Sequence, residues 1–499
     1  MNSAKQARDL INALPRENLV KALSIVASGC ELAARASGTA PVERFSVVSI
    51  LDSGVEPYLR RIAPPDMDEA QLNLNANANA NANDKASRAY FDCVRTLGGA
   101  YLICLRELRL DTARAGLAAV RTLRMLGQQA KWRLTRYQVV EERIWQELGD
   151  AYHLSESFGF AGRRVPHDSD AGQDTTARDE FLRALLLQVS ATDSLSPAKT
   201  QIAEQLVALA APNAILEATN TQDCPFYFNL ARNQPPARVR EGFASGPMMR
   251  YFSAGASEQM LRDIAKAVWS GEKETASFGL GQFQADSVIA VTQHLERYWG
   301  QASPQRRHAR YPLQSEIHVT RGITAAVQRV RESTGGDTQG ARATAGDERW
   351  SVIDTSDKGY GLNANLSEGA LELGELLALR LEDSALYSVG VIRRLLFGRD
   401  EQFNAGVEVV GDIVIPVELW KWVDQVPAGE TNQTTLALMI YDRSHEDVDV
   451  FVITAPGSFV AQTRYGMRVQ GQHYVLESVS LAESGPDYDV IRFSILSAP

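Results

Sequence analysis

Apolar residues recur at three- and four-residue spacing through most of the first 300 positions, where Ala, Leu, Arg and Glu dominate. This period lines apolar side chains along one face of a helix. An example is the set Tyr101, Leu102, Leu105 and Leu108. The pattern predicts three helices over residues 86–154, with Asp111-Thr112 capping the second, and a last helix over 286–299. The run PFYFNL after Cys224 interrupts this pattern and predicts a short strand.

The pattern changes at Ser303-Pro304, and from Ser315 onward short runs rich in Val, Ile and Leu are separated by Gly, Asp, Asn and Ser. Such runs are typical of strands, and their spacing predicts a small antiparallel barrel. The predicted strands cover residues 316–320, 350–354, 376–381, 388–395 and 405–410. The C-terminal segment is also β-rich, with strands predicted at 436–441, 448–453, 466–470, 474–478 and 490–495. It forms either a second small barrel or an extension of the first sheet.

The predicted fold is therefore multidomain. A mainly α-helical region over 1–300 is followed by a small antiparallel β-barrel over 303–411 and a further β-rich segment over 412–499. Polar, Gly-rich or alternating Asn/Ala stretches cannot build a packed core and predict surface loops at 72–84, 164–179 and 332–348.

Composition agrees with about three globular domains. The 499 residues include 44% hydrophobic and 22% charged residues, which are ordinary globular values. The formal net charge of −10 argues against a general nucleic-acid binder, because such proteins are usually basic. An anionic ligand would therefore need a local cluster of basic residues.

Several classes of function lack their signature in this sequence. We see no secretory signal and no apolar run long enough for a membrane span, so a cytoplasmic protein is expected. The four cysteines form no C-x-x-C pair and are expected to be buried apolar residues, and the histidines show no metal-ligand spacing. No phosphate-binding or zinc-protease motif is present. We therefore expect neither an enzyme nor a bound metal or cofactor.

A cluster of arginines precedes the first predicted strand of the barrel. Arg306, Arg307 and Arg310 fall within five residues of an otherwise acidic chain. The planar fork of arginine donates two hydrogen bonds to phosphate oxygens or to the O6/N7 edge of guanine. Pro312 prevents a regular helix from continuing here, so the arginines are expected on a turn that enters the strand. The alternative is solvated surface charge or exposed salt bridges.

The second predicted strand ends in a group of polar residues. Asp354 carries a carboxylate that accepts hydrogen bonds from the N1 and N2 donors of guanine, and Ser356 both donates and accepts. Gly359 permits a sharp turn and a close backbone approach. The alternative for Asp354 and Ser356 is an ordinary turn cap. Asp357 and Lys358 are expected to face solvent, and His308 is expected to be a bystander.

Together these residues resemble the PilZ family. Its paired signature is R-x-x-x-R, here Arg306 and Arg310, followed by D-x-S-x-x-G, here Asp354, Ser356 and Gly359. The runs at 373–379, 389–394 and 406–409 resemble the later strands of the family, so the resemblance covers about residues 303–411. The interval from Arg310 to Asp354 is longer than is usual in the family. The loop in it could be extruded from the barrel or could lie across the site.

The resemblance implies a bacterial receptor for the second messenger cyclic di-GMP. The ligand-binding residues would be Arg306, Arg307, Arg310, Asp354, Ser356 and Gly359, and segment 412–499 could be a second PilZ-like barrel. Binding would change the contacts of the helical region with an unidentified protein partner. The alternative is a PilZ-like scaffold or adaptor that has lost ligand binding and acts only through protein–protein interaction.

Overall fold

The computed structural model describes residues 1–62, 67, 69, 71–73, 85–107, 111–166, 174–240, 242, 245–302, 308–334, 347–364, 371–382, 384, 386–398, 402–422, 434–441 and 449–497. The chain divides into two compact units, Met1–Gln305 and Arg306–Pro499. Within the three predicted loops, residues 74–84, 167–173 and 335–346 lie outside the described residues. The predicted domain boundaries at 300, 303, 411 and 412 stay predictions.

The first unit is mainly helical, as the periodicity predicts. Its helices are α1 (Ala4–Asn12), α2 (Leu19–Arg35), α3 (Pro41–Ile62), α4 (Lys85–Glu107), α5 (Thr112–Leu134), α6 (Glu142–Ser157), α7 (Ala177–Val189), α8 (Pro197–Ala210), α9 (Ser257–Trp269) and α10 (Ala285–Trp299). The three helices predicted over 86–154 are confirmed as α4, α5 and α6. The carboxylate of Asp111 accepts a hydrogen bond from the backbone N–H of Arg114 over 3.2 Å, so the predicted cap is also confirmed.

A small antiparallel sheet completes this unit. Its strands are β1 (Ile215–Glu217), β2 (Phe226–Asn229), β3 (Ala237–Arg238) and β4 (Met249–Ser253), in the order β1-β4-β2-β3. Strand β2 is the one that PFYFNL predicts, whereas the other three strands are not predicted from the sequence. Phe228 packs edge-on against Phe181 of α7, which stacks on Tyr152 of α6 with ring centroids 4.2 Å apart. Aromatic contacts therefore join the sheet to the helices.

A buried carboxylate also joins three helices of this unit. Asp52 of α3 is 5% exposed and accepts hydrogen bonds from the hydroxyl of Tyr101 over 2.8 Å and from Arg121 over 2.9 Å. Burial raises the pKa of Asp52, although Arg121 and Tyr101 oppose that shift. All four cysteines are buried, as predicted, and burial raises the pKa of Cys93 and of Cys104 to about 12.

The second unit contains two closed six-stranded antiparallel barrels. The first is formed by β5 (Tyr311–Arg321), β6 (Glu348–Ser356), β7 (Gly359–Ala364), β8 (Leu376–Leu381), β9 (Ser388–Phe397) and β10 (Phe403–Gly411), in the order β10-β7-β6-β5-β8-β9. The second is formed by β11 (Val414–Lys421), β12 (Thr435–Ile440), β13 (Asp449–Thr454), β14 (Arg464–Val469), β15 (Gln472–Ser484) and β16 (Asp489–Ser497). The C-terminal segment thus closes on itself and does not extend the first sheet.

Three elements of this unit differ from the prediction. Strands β7 and β11 are not among the predicted strands, and residues 323–334 form helix α11 (Ile323–Thr334), whereas the sequence predicts strands and loops in this part of the chain. The buried residues of α11 are Ile323, Ala326, Val327 and Val330. They share one apolar cluster with Leu376 of the first barrel and Leu438 of the second. Helix α11 is therefore packed between the two barrels.

Candidate ligand site on the first barrel

Arg310 and Asp354 form an ion pair although 44 positions separate them in the chain. Arg310 directly precedes β5, Asp354 lies near the end of β6, and the register of these two strands sets Pro312 opposite Asp354. Nη1 of Arg310 donates to Oδ1 of Asp354 over 2.6 Å. The side chains are 33% and 28% exposed. A ligand in solvent can therefore reach both members of the pair.

Gly361 lies beneath this ion pair on the neighbouring strand β7, where it is directly opposite Asp354. A Cβ atom at position 361 would lie 2.5 Å from Oδ1 of Asp354 and 3.2 Å from Nη1 of Arg310. Any larger residue would therefore displace the pair. Gly361 is absent from the predicted site residues, although a glycine inside a strand is a known sign of close approach.

Ser356 and Gly359 close the hairpin between β6 and β7. They are paired across the two strands, and the hydroxyl of Ser356 donates to the carbonyl of Gly359 over 3.3 Å. Between them, Asp357 and Lys358 are exposed, as predicted. A Cβ at Gly359 would collide with the carbonyl oxygen of Val407 on β10. The close approach at Gly359 is thus made by a neighbouring strand, which gives this glycine a role in barrel closure.

The other two predicted arginines, Arg306 and Arg307, lie outside the described residues. His308 is described, and its Nδ1 is 3.6 Å from Oδ2 of Asp357. The structure thus brings together four of the six predicted residues at one end of the β5–β6–β7 sheet: Arg310, Asp354, Ser356 and Gly359. Of these, Arg310 and Asp354 carry charge.

A second ion-pair group lies beside the site and connects the two barrels. Arg393 of β9 donates to Glu408 of β10 over 2.8 Å and to Glu483 of β15 over 2.7 and 2.9 Å. The hydroxyl of Tyr488 also donates to Glu483. Partial burial alone would raise the pKa of Glu483, but the hydrogen bonds from Arg393 and Tyr488 lower it below its usual value. Because Glu408 is paired with Gly359, this group adjoins the candidate site.

Arg310 and Asp354 place a hydrogen-bond donor and a hydrogen-bond acceptor side by side. A guanidinium donates to phosphate or to the O6/N7 edge of guanine, and the carboxylate accepts from guanine N–H groups.

Within the described residues no cluster of three or more His, Cys, Asp or Glu side chains has the geometry of a metal site. In that same part of the chain, every helix is too short or too polar to cross a membrane.

Comparison with known proteins adds information about the other unit. The search against curated proteins finds no significant match. A family model described as the N-terminal domain of the cyclic-di-GMP receptor FimW matches residues 5–221, which run from α1 to just beyond β1. Over these residues, somewhat less than half of its length, the chain is therefore similar to the N-terminal domain of a cyclic-di-GMP receptor.

Proposed function

We propose that this protein is a cyclic di-GMP receptor and that the first barrel is a PilZ domain that holds the nucleotide. Arg306 and Arg310 clamp the phosphates and a guanine, and Arg307 assists them. Asp354 and Ser356 bind a guanine edge, and Gly359 shapes the hairpin turn. The protein acts by binding and performs no catalysis.

The ion pair between Arg310 and Asp354 is the observation that carries this proposal. In the absence of ligand each charge satisfies the other, and both side chains remain partly exposed. A cyclic dinucleotide provides partners for both groups at once, because it carries phosphate acceptors and guanine N–H donors. The similarity of residues 5–221 to a receptor for the same nucleotide supports this choice of ligand independently.

Ligand binding is proposed to alter the contacts of the helical region with a protein partner in the cytoplasm. Arg306 and Arg307 directly follow the helical unit in the chain, so a ligand that binds them acts on the connection to that unit. A ligand shifts an equilibrium between two arrangements only by its difference in affinity for them. The contacts of the nucleotide with Arg306 and Arg307 supply such a difference.

Isothermal titration of the full chain with cyclic di-GMP tests the proposal. The variants are Arg310→Ala and Asp354→Ala, and the matched controls are Arg349→Ala and Glu316→Ala. Arg349 and Glu316 lie on the same two strands and are 3.6 Å apart in an exposed pair, so they reproduce the charge changes away from the site. We expect binding by the wild type and by both controls, and a loss of at least tenfold in affinity in both site variants.

Two results would contradict the proposal. Wild-type protein that shows neither binding heat nor a thermal shift with cyclic di-GMP would instead support the scaffold that acts only through protein contacts. Equal losses of affinity in the site variants and the controls would show that general surface charge attracts the nucleotide.

A further inference from the structure

A polar cleft runs along one face of helix α5 in the helical unit. Two cavities of about 280 and 180 Å³ form it, and Arg124 and Gln128 line both of them. Helices α3 and α4 border the larger cavity, and helices α7 and α8 border the smaller one. The α5 residues that line the cleft include Arg121, Arg124, Gln128 and Lys131, whose spacing of three or four positions places them on one helix face.

The positive charges that line this cleft outnumber the negative ones. Arg124 of α5 and Arg183 of α7 share one carboxylate oxygen, because both donate to Oε1 of Glu180, over 3.0 and 3.3 Å. Glu180 is buried, so the two guanidinium groups face a single carboxylate between them. The other acids of the cleft each have one basic partner there, in the pairs Asp52–Arg121, Glu56–Arg60 and Glu204–Lys131. The cleft thus has one positive charge in excess, although the whole chain carries −10.

Three hydrogen-bonding groups of the cleft have no partner within the described residues. Nη1 of Arg124 makes no hydrogen bond there, and neither does the side-chain amide of Gln128. Nε of Arg183 is buried and also lacks a partner. Donors in such a position are normally satisfied by water or by a ligand, because leaving them unpaired destabilises the protein. An incoming carboxylate would offer its oxygens to both guanidinium groups.

The length of the cleft fits a short piece of extended polypeptide. Arg121 and Lys131 are ten positions apart on α5, which corresponds to about 15 Å along the helix axis. An extended chain rises about 3.3 Å per residue, so about four or five residues span this distance. The amide of Gln128 lies between the two ends and can donate to a peptide carbonyl and accept from a peptide N–H.

We propose that this cleft docks an acidic segment of the protein partner. Arg124 and Arg183 bind a Glu or Asp carboxylate of that segment, since the guanidinium fork matches a carboxylate, and Gln128 binds a peptide group. The inference rests on the proposed function for the existence of a partner, and it adds the docking site and the chemistry of that partner. If the ion pairs of the cleft served only to join the helices, an acidic peptide would not bind.

Fluorescence anisotropy of labelled peptides with the full chain tests the inference. The probe is a pentapeptide in which Glu alternates with Gly, and its matched versions carry Gln or Lys in place of Glu. We expect the Glu peptide to bind at least about tenfold more tightly than the other two. Gln128→Glu adds a negative charge in the middle of the cleft and should weaken the Glu peptide at least about tenfold. Gln234→Glu adds the same charge at an exposed position after β2 and should match the wild type.

A second variant removes one of the two guanidinium groups. Arg183→Gln leaves Glu180 paired with Arg124, so the midpoint of thermal unfolding should stay close to that of the wild type. Its affinity for the Glu peptide should nevertheless fall at least about tenfold. The control is Arg262→Gln, which removes an exposed arginine paired with Glu296 in the same unit.

Three results would overturn the inference. The first is wild-type affinity for the Glu peptide in Gln128→Glu or in Arg183→Gln. The second is equal binding of the Glu and Lys peptides. The third is a wild type that ignores the Glu peptide while inorganic phosphate raises its unfolding midpoint and not that of Gln128→Glu, because the cleft would then hold a small free anion.

Titration of the same proteins with cyclic di-GMP separates the two proposals. Gln128→Glu is expected to bind the nucleotide like the wild type while losing the Glu peptide. A wild type that binds cyclic di-GMP but not the Glu peptide would remove the docking inference and leave the receptor function. A wild type that binds the Glu peptide through Gln128 but no cyclic di-GMP would leave the docking site and remove the receptor function.

Discussion

The geometry of the candidate site depends on the glycine beneath the ion pair of Arg310 and Asp354. The two charged residues belong to a motif that is visible in the sequence, but a motif does not say what supports it. Gly361 provides the space in which the carboxylate and the guanidinium meet. In the sequence, Gly361 is only a glycine within a short stretch. The apolar pattern does not predict a strand there, because β7 alternates two glycines with Tyr360 and Leu362.

Gly361→Ala is predicted to weaken cyclic di-GMP binding at least tenfold with little loss of stability. The added Cβ collides with the ends of two partly exposed side chains, which can move away at small cost, so the free energy of unfolding should change by less than about 1 kcal/mol. Titration and thermal unfolding measure the two effects. Gly398→Ala in the same barrel is the control, and equal affinities in the two variants would contradict the prediction.

At the scale of elements, most strands and helices follow from their own periodicity. The exceptions are instructive. Residues 323–334 have apolar side chains at Ile323, Ala326, Val327 and Val330, which is helical spacing, yet the surrounding strand pattern concealed it. What stabilises α11 is burial against both barrels, together with Asp487, whose carboxylate accepts from the backbone N–H of Ile323 over 3.2 Å.

The ion pair of Glu483 with Arg393, which connects the two barrels, predicts that the stability of the folded protein depends on pH. The folded protein lowers the pKa of Glu483, while an unfolded glutamate titrates near pH 4.3. A lowered pKa means that the ionised group stabilises the folded state above the unfolded pKa, and that this contribution is lost as the pH falls through the folded pKa. The difference in unfolding midpoint between wild type and Glu483→Gln should therefore be largest near pH 6–7 and should shrink between about pH 5 and pH 3.

Thermal unfolding across this pH range measures that difference. The control is Glu332→Gln, which removes a carboxylate on α11 that is 50% exposed. Its unfolding midpoint should differ little from that of the wild type at every pH. A difference for Glu483→Gln that stays constant with pH would show that Glu483 contributes through packing and not through its charge.

At the scale of the whole molecule, the two lines of support for nucleotide binding fall on different units. The arginine and aspartate motifs lie in the unit Arg306–Pro499, whereas the family match at residues 5–221 lies in the unit Met1–Gln305. A receptor that binds on one unit and contacts its partner with the other reconciles them.

Hydrogen exchange measured by mass spectrometry locates the ligand. Cyclic di-GMP at 100 times its Kd adds about 2.7 kcal/mol to the stability of the state that binds it. We expect slower exchange in β6 and β7, Glu348–Ser356 and Gly359–Ala364, and no change in α5, Thr112–Leu134. Protection confined to α5 and its neighbours would place the nucleotide on the helical unit instead.

Local sequence was sufficient for the helical first part, the strand-rich second part and the motif residues Arg310, Asp354, Ser356 and Gly359, because periodicity and turn chemistry act over a few residues. The pairing of Arg310 with Asp354 and the position of Gly361 beneath them arise only in the folded barrel. Closure brings β7 and β9 to either side of β10, and no short-range pattern in the chain encodes which strands meet.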